Sequence, residues 1–170
     1  MRIIRECTIN EVIDHWRDVE QWRIPISRTD ILDPLPDDIR WCEAEIEPAD
    51  LDKLFIISSD DWRTITDSFR VTDTVDSLDS GLQDDKITKI NRYRACFEKT
   101  LNSKYRRLII VSPSFEGNFT ILEGNKRAVA LSSINQLRGT PVFLGVSSDI
   151  EHYGWARYAN RARYSRGSLN

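Results

Sequence analysis

Histidine and cysteine are scarce in this sequence, and they are not arranged for metal binding. The chain has two histidines and three cysteines, and it holds no CxxC pair. Because transition-metal sites use closely spaced thiolates and imidazoles, this scarcity excludes a structural zinc site. Cys7, Cys42 and Cys96 are odd in number and far apart, which is typical of free thiols in a reducing compartment. We therefore expect a cytoplasmic protein.

Long apolar runs and an excess of positive charge are also missing. No stretch approaches the roughly 20 apolar residues that span a bilayer, so no membrane partner is expected. Residues 1–6 are not followed by the uninterrupted apolar region of a signal peptide. The net charge of −3 argues against a protein that coats nucleic acid by charge alone, although a local basic patch remains open.

The length and the apolar periodicity predict one α+β domain. A chain of 170 residues has the size of a single domain. We interpret residues 1–40 as an N-terminal helix and loop, 41–146 as the core, and 147–170 as a C-terminal Arg/Tyr-rich helix or arm. Alternating and helical spacings follow one another along the core, which predicts a small mixed sheet surrounded by helices.

Individual elements follow from the same patterns. Strands are predicted where apolar residues alternate or form short runs, at 1–7, 41–47, 108–111, 119–122 and 141–146. Helices are predicted where apolar residues recur at helical spacing or follow capping residues, at 9–22, 48–55, 58–69, 84–102, 125–137 and 149–164. The remaining longer segments, 23–38 with three prolines and the acidic 71–85, are interpreted as loops.

The segment 108–137 organises the chain. Two apolar strands are joined by a Gly117-Asn118 turn, and Glu123-Gly124-Asn125-Lys126-Arg127 then leads into an apolar helix. A tight glycine turn before a helix brings together free backbone N–H groups, the positive helix end and two cationic side chains. That combination predicts an anion site, for which phosphate is the commonest ligand.

Each residue of this turn has a predicted role. Gly124 allows a sharp turn or a close approach to a ligand, and Asn125 can cap the helix or bind a phosphate or ribose oxygen. Arg127 can grip two phosphate oxygens with its fork, whereas Lys126 offers a movable point charge. Glu123 is the candidate catalytic base and the candidate ligand for a phosphate-bound Mg²⁺. The alternative is that both cations are surface charges, although the helix dipole disfavours cations there.

Residues 122–131, LEGNKRAVAL, resemble the glycine–x–basic–arginine segment of ParB/sulfiredoxin-like domains. This superfamily includes CTP-hydrolysing ParB clamps, ATP-using sulfiredoxins, a free-serine kinase and some nucleases. The resemblance implies a ParB/sulfiredoxin-like fold in which this segment opens a helix and holds the phosphates of a nucleoside triphosphate with Mg²⁺. It also implies hydrolysis or transfer of phosphate through the loop. The match extends more loosely over 87–146.

The sequence differs from sulfiredoxins and from ParB clamps at residues that carry their activities. Sulfiredoxins have a catalytic cysteine at the position of Asn125 and a histidine at the position of Lys126. ParB clamps have a glutamate at the position of Asn125, and the sequence has neither their glutamine–proline–arginine box nor a downstream helix-turn-helix. Neither activity is therefore expected, and a nucleotide-binding core remains.

The C-terminal segment supports an alternative function. Aromatic and arginine side chains alternate there, at Trp155, Arg157, Tyr158, Arg161 and Arg163. Such a pattern is typical of single-stranded nucleic-acid binding, where rings stack on bases and guanidinium groups hold the backbone. A nucleic-acid-binding or nuclease-like protein would use the glycine turn on backbone phosphate. The competing interpretation is a docked helix whose rings pack, and a non-catalytic interaction module is a further alternative.

Two other groups of titratable side chains have simple interpretations. His15 lies beside the apolar stripe of its predicted helix, and we interpret it as a solvated or partly buried histidine. Glu43 and Glu45 share one face of a strand, and we interpret that face as solvated and not as a pair of catalytic carboxylates.

Overall fold

A computed structural model describes residues 1–20, 35–79, 81–99 and 104–165. The strands are β1 Arg2–Cys7, β2 Arg40–Glu45, β3 Leu54–Ile56, β4 Leu108–Ser112, β5 Phe119–Glu123 and β6 Pro141–Val146. The α-helices are α1 Ile9–Glu20, α2 Asp60–Arg63, α3 Val71–Asp76, α4 Asp85–Lys99, α5 Asn125–Ser133 and α6 Arg157–Ser165. Short 3₁₀ turns cover Pro48–Lys53, Ser77–Asp79, Lys104–Arg106, Ser148–His152 and Gly154–Ala156.

The strands form one mixed sheet in the order β1-β2-β6-β4-β5-β3. β2 runs antiparallel to both β1 and β6, whereas β6 is parallel to β4. β5 is antiparallel to β4 and parallel to β3. This sheet with its surrounding helices confirms the predicted α+β class and the mixed sheet.

Both faces of the sheet are covered. On one face Ile110 belongs to a core cluster with α5 residues Ala128 and Leu131. On the other face Ile109 belongs to a cluster with the α1 residues Val12 and Trp16. Alternate residues of β4 therefore enter two different cores, which explains why its sequence is uniformly apolar.

The prediction of a helix over 48–55 is wrong beyond Lys53. Pro48–Lys53 forms a 3₁₀ turn, and the next three residues form β3, which pairs in parallel with β5. Leu54 and Phe55 are buried on this strand. The apolar residues were assigned to one helical face, but they instead complete an edge of the sheet.

The prediction of a loop over the whole of 71–85 is also wrong. Val71–Asp76 forms α3, and both Val71 and Thr74 are fully buried. The acid in its first turn, Asp73, is favourable at a helix N-terminus and does not require an irregular backbone.

Two predicted helices are shorter than expected. Within 58–69 only Asp60–Arg63 is α-helical, and within 149–164 the α-helix begins at Arg157 after two 3₁₀ turns. The other predicted elements are confirmed with boundary shifts of a few residues. The predicted loop from 23 to 34 lies outside the described residues. In the part of the chain that the structure describes, no helix is long and apolar enough to cross a membrane.

Candidate functional site

Gly124 makes the turn between β5 and α5. Its backbone has φ 97° and ψ 17°, which is the left-handed region that favours glycine. A Cβ atom at this position would lie 2.6 Å from Cδ2 of Leu108. Conformation and space therefore both require glycine, and the buried strand β5 turns directly into the first residue of α5.

The start of α5 lacks the usual negative partners of a helix end. Its N-cap residue is Gly124, which has no side chain to accept a hydrogen bond, and its first turn contains no acid. By contrast, α1, α3 and α4 each carry an acid in the first turn. The first backbone bond of the helix runs from the N–H of Ala128 to the carbonyl of Gly124. The N–H groups of residues 125–127 consequently have no acceptor within the helix.

Asn125 connects α5 to the neighbouring strand. The N–H of Ile57 donates to Oδ1 of Asn125 at 2.9 Å, at the point where β3 ends. Asn125 is the first helical residue, so the predicted capping role belongs to Gly124 and not to Asn125. The bond holds the ends of two parallel strands, β3 and β5, at one edge of the sheet.

Lys126 lies among α2, α4 and α5. Its Nζ is 5.9 Å from the ring centroid of Trp62, a distance at which the ring attracts a cation. Asp85 is also near, since its pKa is lowered chiefly by a hydrogen bond from Lys89 and further by the charge of Lys126. Lys126 is half-buried and is the second residue of α5.

Arg127 faces the interior of the protein. Its side chain is 2% exposed and forms an ion pair with Glu123. Its Nη1 donates to the carbonyl of Arg107 at 3.0 Å and to that of Tyr105. The fork that was predicted to hold phosphate thus holds a carboxylate and the main chain before β4. A phosphate contact by Arg127 and a catalytic or Mg²⁺-binding role for Glu123 stay predictions.

The Glu123–Arg127 pair has a sequence signal that the motif alone did not reveal. The two residues are four positions apart, a spacing at which opposite charges meet on a helix, but here Glu123 ends β5 and the turn at Gly124 brings it to Arg127 on α5. Among the described residues, no group of three or more His, Cys, Asp or Glu side chains is placed to hold a metal ion. A Mg²⁺ ion held only by protein side chains is therefore not supported in this part of the chain.

A series of ion pairs crosses the face of the sheet that α1 covers. Arg107 donates to Glu43 at 2.8 Å, and Arg5 donates to Glu43 at 2.8 Å and to Glu11 at 2.7 Å. The Arg107 hydrogen bond is the main cause of the lowered pKa of Glu43. Glu45 pairs with Arg2. The face interpreted as solvated therefore holds a charge network between strands and helix.

His15, on α1, lies close to Arg107 of this network. Its ring meets Phe143 edge-on with 5.5 Å between centroids. Burial lowers the pKa of His15 to about 4, and the positive charges of Arg107 and Arg127 add to the effect. The histidine is partly buried, as one interpretation of the sequence proposed.

Because of His15, we expect the free energy of unfolding to fall as the pH is lowered from 6.5 to 4. The unfolded chain protonates this histidine near its ordinary pKa of about 6.5, whereas the folded chain protonates it only near 4. Stability is therefore lost as the pH falls through this window, by about 1–2 kcal/mol because the ring is partly solvated. Urea unfolding of the wild type and His15→Gln at pH 7 and pH 4.5 measures the loss.

The His15→Gln variant should lose less stability over this interval. The lowered pKa of Glu11, about 2, arises mainly from its hydrogen bond with Arg5, and its effect appears only below about pH 4.5. An equal loss in the wild type and the variant would contradict the assignment to His15.

The C-terminal aromatic residues have packing partners within the chain. The ring of Tyr158 stacks on Phe69 with 4.4 Å between centroids, and the ring of Trp155 lies 5.0 Å from that of Tyr153. Ser58 connects both residues to the end of β3. Its N–H donates to the carbonyl of Trp155 at 2.7 Å, and its Oγ accepts from the N–H of Tyr158.

The arginines of this segment are placed differently. Arg157 begins α6, and the guanidinium of Arg161 lies 5.8 Å from the ring centroid of Tyr158. The side chain of Arg163 lies outside the described residues. Within the described residues, the rings that were predicted to stack on bases are thus arranged as in a docked C-terminal helix.

Two cavities lie away from the glycine turn. A polar cavity of about 370 Å³ is lined by Arg63, Thr64, Ile65, Thr66, Asp67, Ser68, Asp73 and Ser77. A second cavity of about 470 Å³ is lined by Glu6, Cys7, Ile9, Leu35, Pro36, Asp37, Ile39, Arg40 and Trp41. Residues 123–127 line neither cavity, so the start of α5 is separate from both.

Comparisons with known proteins give no family for the chain. No protein-family model, no curated protein and no solved structure matches it. The site is accordingly defined by its own geometry: a glycine turn, an uncapped helix start, Asn125 and Lys126.

Proposed function

We propose that this domain binds a nucleotide and that its phosphate group is held at the start of α5. The observation that carries the proposal is the helix start itself. It is entered through a glycine that admits no Cβ, it has no acidic residue in its first turn, and Lys126 is its second residue. An anion at this position would accept hydrogen bonds from the N–H groups and would be favoured by the helix dipole.

The residues of the turn would then have different roles in binding the phosphate. Lys126 supplies a positive charge, and the amide nitrogen of Asn125 can act as a donor because only its oxygen is occupied by Ile57. Arg127 positions the helix start through its bonds to Glu123 and to two carbonyls. The resemblance of 122–131 to ParB/sulfiredoxin-like domains supports a nucleotide as the source of the phosphate.

Hydrolysis is a separate question from binding. Glu123 is paired with Arg127, so its action as a base would require that ion pair to open. A Mg²⁺ ion would have to arrive with the triphosphate, because phosphate oxygens and water commonly complete its coordination. Phosphate release from nucleoside triphosphates with Mg²⁺ measures turnover independently of affinity.

Lys126→Ala should weaken nucleotide binding by about tenfold, since a charge-assisted contact contributes about 1.4 kcal/mol or more. Isothermal titration with ATP, CTP, GTP and UTP, with and without Mg²⁺, provides the affinities. Lys99→Ala is the matched control because it removes the same charge from the exposed end of α4, and it should leave the affinity unchanged.

The same titrations identify the alternatives. Equal affinities for wild type, Lys126→Ala and Lys99→Ala would reject the phosphate site at α5. Binding of a single-stranded oligonucleotide but of no mononucleotide would instead favour the nucleic-acid function. Binding of neither would favour an interaction module that keeps the fold alone.

A further inference from the structure

Residues 57 and 58 connect the start of α5 to the C-terminal segment. The N–H of Ile57 donates to Oδ1 of Asn125 at 2.9 Å, and the next N–H, that of Ser58, donates to the carbonyl of Trp155 at 2.7 Å. Because neighbouring residues are only about 3.8 Å apart along the chain, the Trp155 carbonyl lies within about 10 Å of the Asn125 amide. Trp155 therefore lies near the proposed phosphate site, although it is distant from it in sequence.

Trp155 and Tyr158 are both held by Ser58, but their rings have different surroundings. The ring of Tyr158 stacks on the buried ring of Phe69, so a packing role accounts for it. Trp155 is only partly buried, and its ring is tilted by 45° against that of Tyr153, which is also partly buried. The backbone of Trp155 is thus fixed, while part of its side chain is open to solvent.

Trp155 is also placed at the edge of the sheet from which the glycine turn leaves. Its side chain packs against the core cluster that includes Leu122, and Leu122 precedes Gly124 by two residues. The parallel strands β3 and β5 both end at this edge. Open α/β sheets bind ligands outside the carboxyl ends of their parallel strands, so this edge is a favourable place for a ligand.

The guanidinium of Arg127 is a separate indication of a ligand at the turn. Arg127 is 2% exposed, and its Nε has no hydrogen-bond partner among the described residues. Its Nη2 and Cζ atoms lie 3.2 and 3.4 Å from the position that a Cβ atom on Gly124 would take, so the guanidinium lies directly beside the turn. A buried N–H group without an acceptor destabilises the free protein, which favours a ligand with acceptor atoms here.

We propose that Trp155 is the base-stacking residue of the nucleotide site. The phosphate group is held at the start of α5, and the base lies on the open part of the Trp155 indole; this inference rests on the proposed function. Every base has a face that can stack on an aromatic ring, so Trp155 adds affinity without selecting one base. The two-ring bases of ATP and GTP cover more of the indole than those of CTP and UTP, so they should bind more tightly.

Inorganic tripolyphosphate, which has no base, separates stacking from phosphate binding. Trp155→Ala should weaken ATP binding about tenfold, which is within the range for stacking of one base on an aromatic ring. The same variant should bind tripolyphosphate as the wild type does, whereas Lys126→Ala should bind both ligands more weakly. Trp155→Phe keeps an aromatic face and should retain most of the affinity for ATP. Isothermal titration with each ligand, in the presence of Mg²⁺, measures these affinities.

Phe115→Ala is the matched control for the loss of a ring. Phe115 is 43% exposed and lies in the turn between β4 and β5, at the end of β5 opposite to Glu123. Its removal should leave the affinity for ATP unchanged. Fluorescence provides a second readout, because a base stacked on Trp155 should quench its emission. ATP should therefore quench the emission of the wild type, and this quenching should be absent in Trp155→Phe.

The two ligands distinguish failure of this inference from failure of the proposed function. An unchanged ATP affinity in Trp155→Ala, or an equal loss for ATP and tripolyphosphate, would overturn the stacking role and leave the phosphate site in place. If Trp155→Ala does not fold, the fluorescence decides, and full quenching in Trp155→Phe would overturn the stacking role. A wild-type protein that binds neither ligand would reject the proposed function and this inference together.

Discussion

Replacing Arg127 with alanine is expected to lower the free energy of unfolding by at least about 3 kcal/mol. The substitution leaves the carboxylate of Glu123 without its partner and removes the donors to the carbonyls of Tyr105 and Arg107. Removal of one member of a buried ion pair typically costs about 3–5 kcal/mol. Partial solvation of Glu123 favours the lower part of this range. Urea denaturation at neutral pH measures the change.

A matched set of variants isolates the ion pair. Arg127→Met keeps much of the side-chain volume, and the double variant Glu123→Gln/Arg127→Met should be more stable than Arg127→Met because no buried charge is left unpaired. Arg94→Met is the control, since this arginine forms only a half-exposed pair with Glu98 on α4. If Arg127→Ala left stability unchanged but abolished phosphate binding, Arg127 would be a ligand and not a structural residue.

The substitution Gly124→Ala is expected to cost about 2–5 kcal/mol. A left-handed conformation costs an alanine about 1–2 kcal/mol, and the new methyl group would lie 2.6 Å from Cδ2 of Leu108. Forcing a methyl group into a packed core adds about 1–3 kcal/mol. The helix start should shift as the clash is relieved, so nucleotide affinity should fall together with stability. Thermal and urea unfolding measure the stability, and titration measures the affinity.

Substitutions at two other glycines separate the cost of backbone conformation from the cost of steric overlap. Gly139 has φ 73°, but a methyl group added to it would meet no atom within 4 Å, so Gly139→Ala tests backbone conformation alone. A Cβ atom on Gly145 would lie 2.7 Å from Ile39 and 2.9 Å from Trp41, but its φ is ordinary, so Gly145→Ala tests space alone. Gly124→Ala should cost more than Gly139→Ala, and an equal cost of the two substitutions would show that Leu108 moves freely.

Local pattern was sufficient for the segment that contains the candidate site. β4, β5 and α5 follow from two apolar runs, a turn and a glycine, and all three form where they were predicted. β3 could not be found in this way. It has three residues, and it becomes a strand because Leu54 pairs with Phe119, 65 positions later in the chain. Pairing over such a distance leaves no local period in the sequence.

The site was predicted less completely than the fold. The glycine turn and the helix start were found, since both depend on residues adjacent in sequence. The direction of the Arg127 side chain depends on two carbonyls that precede β4, at Tyr105 and Arg107. No motif shows where those carbonyls lie. The hydrogen bonds of Ser58 with Trp155 and Tyr158 could not be predicted either, because these residues are distant in sequence.

The position of β6 has a consequence for folding during synthesis. β2 bonds to β1 and β6, and β4 bonds to β5 and β6, so β6 is the strand that joins the two parts of the sheet. A ribosome-bound chain ending before Pro141 can form only separate partial sheets, each with an inner edge that awaits a partner. Those edges are exposed until β6 emerges, and unpaired edges favour aggregation. β6, the last of the described strands in chain order, thus joins the two parts of the sheet in one late step.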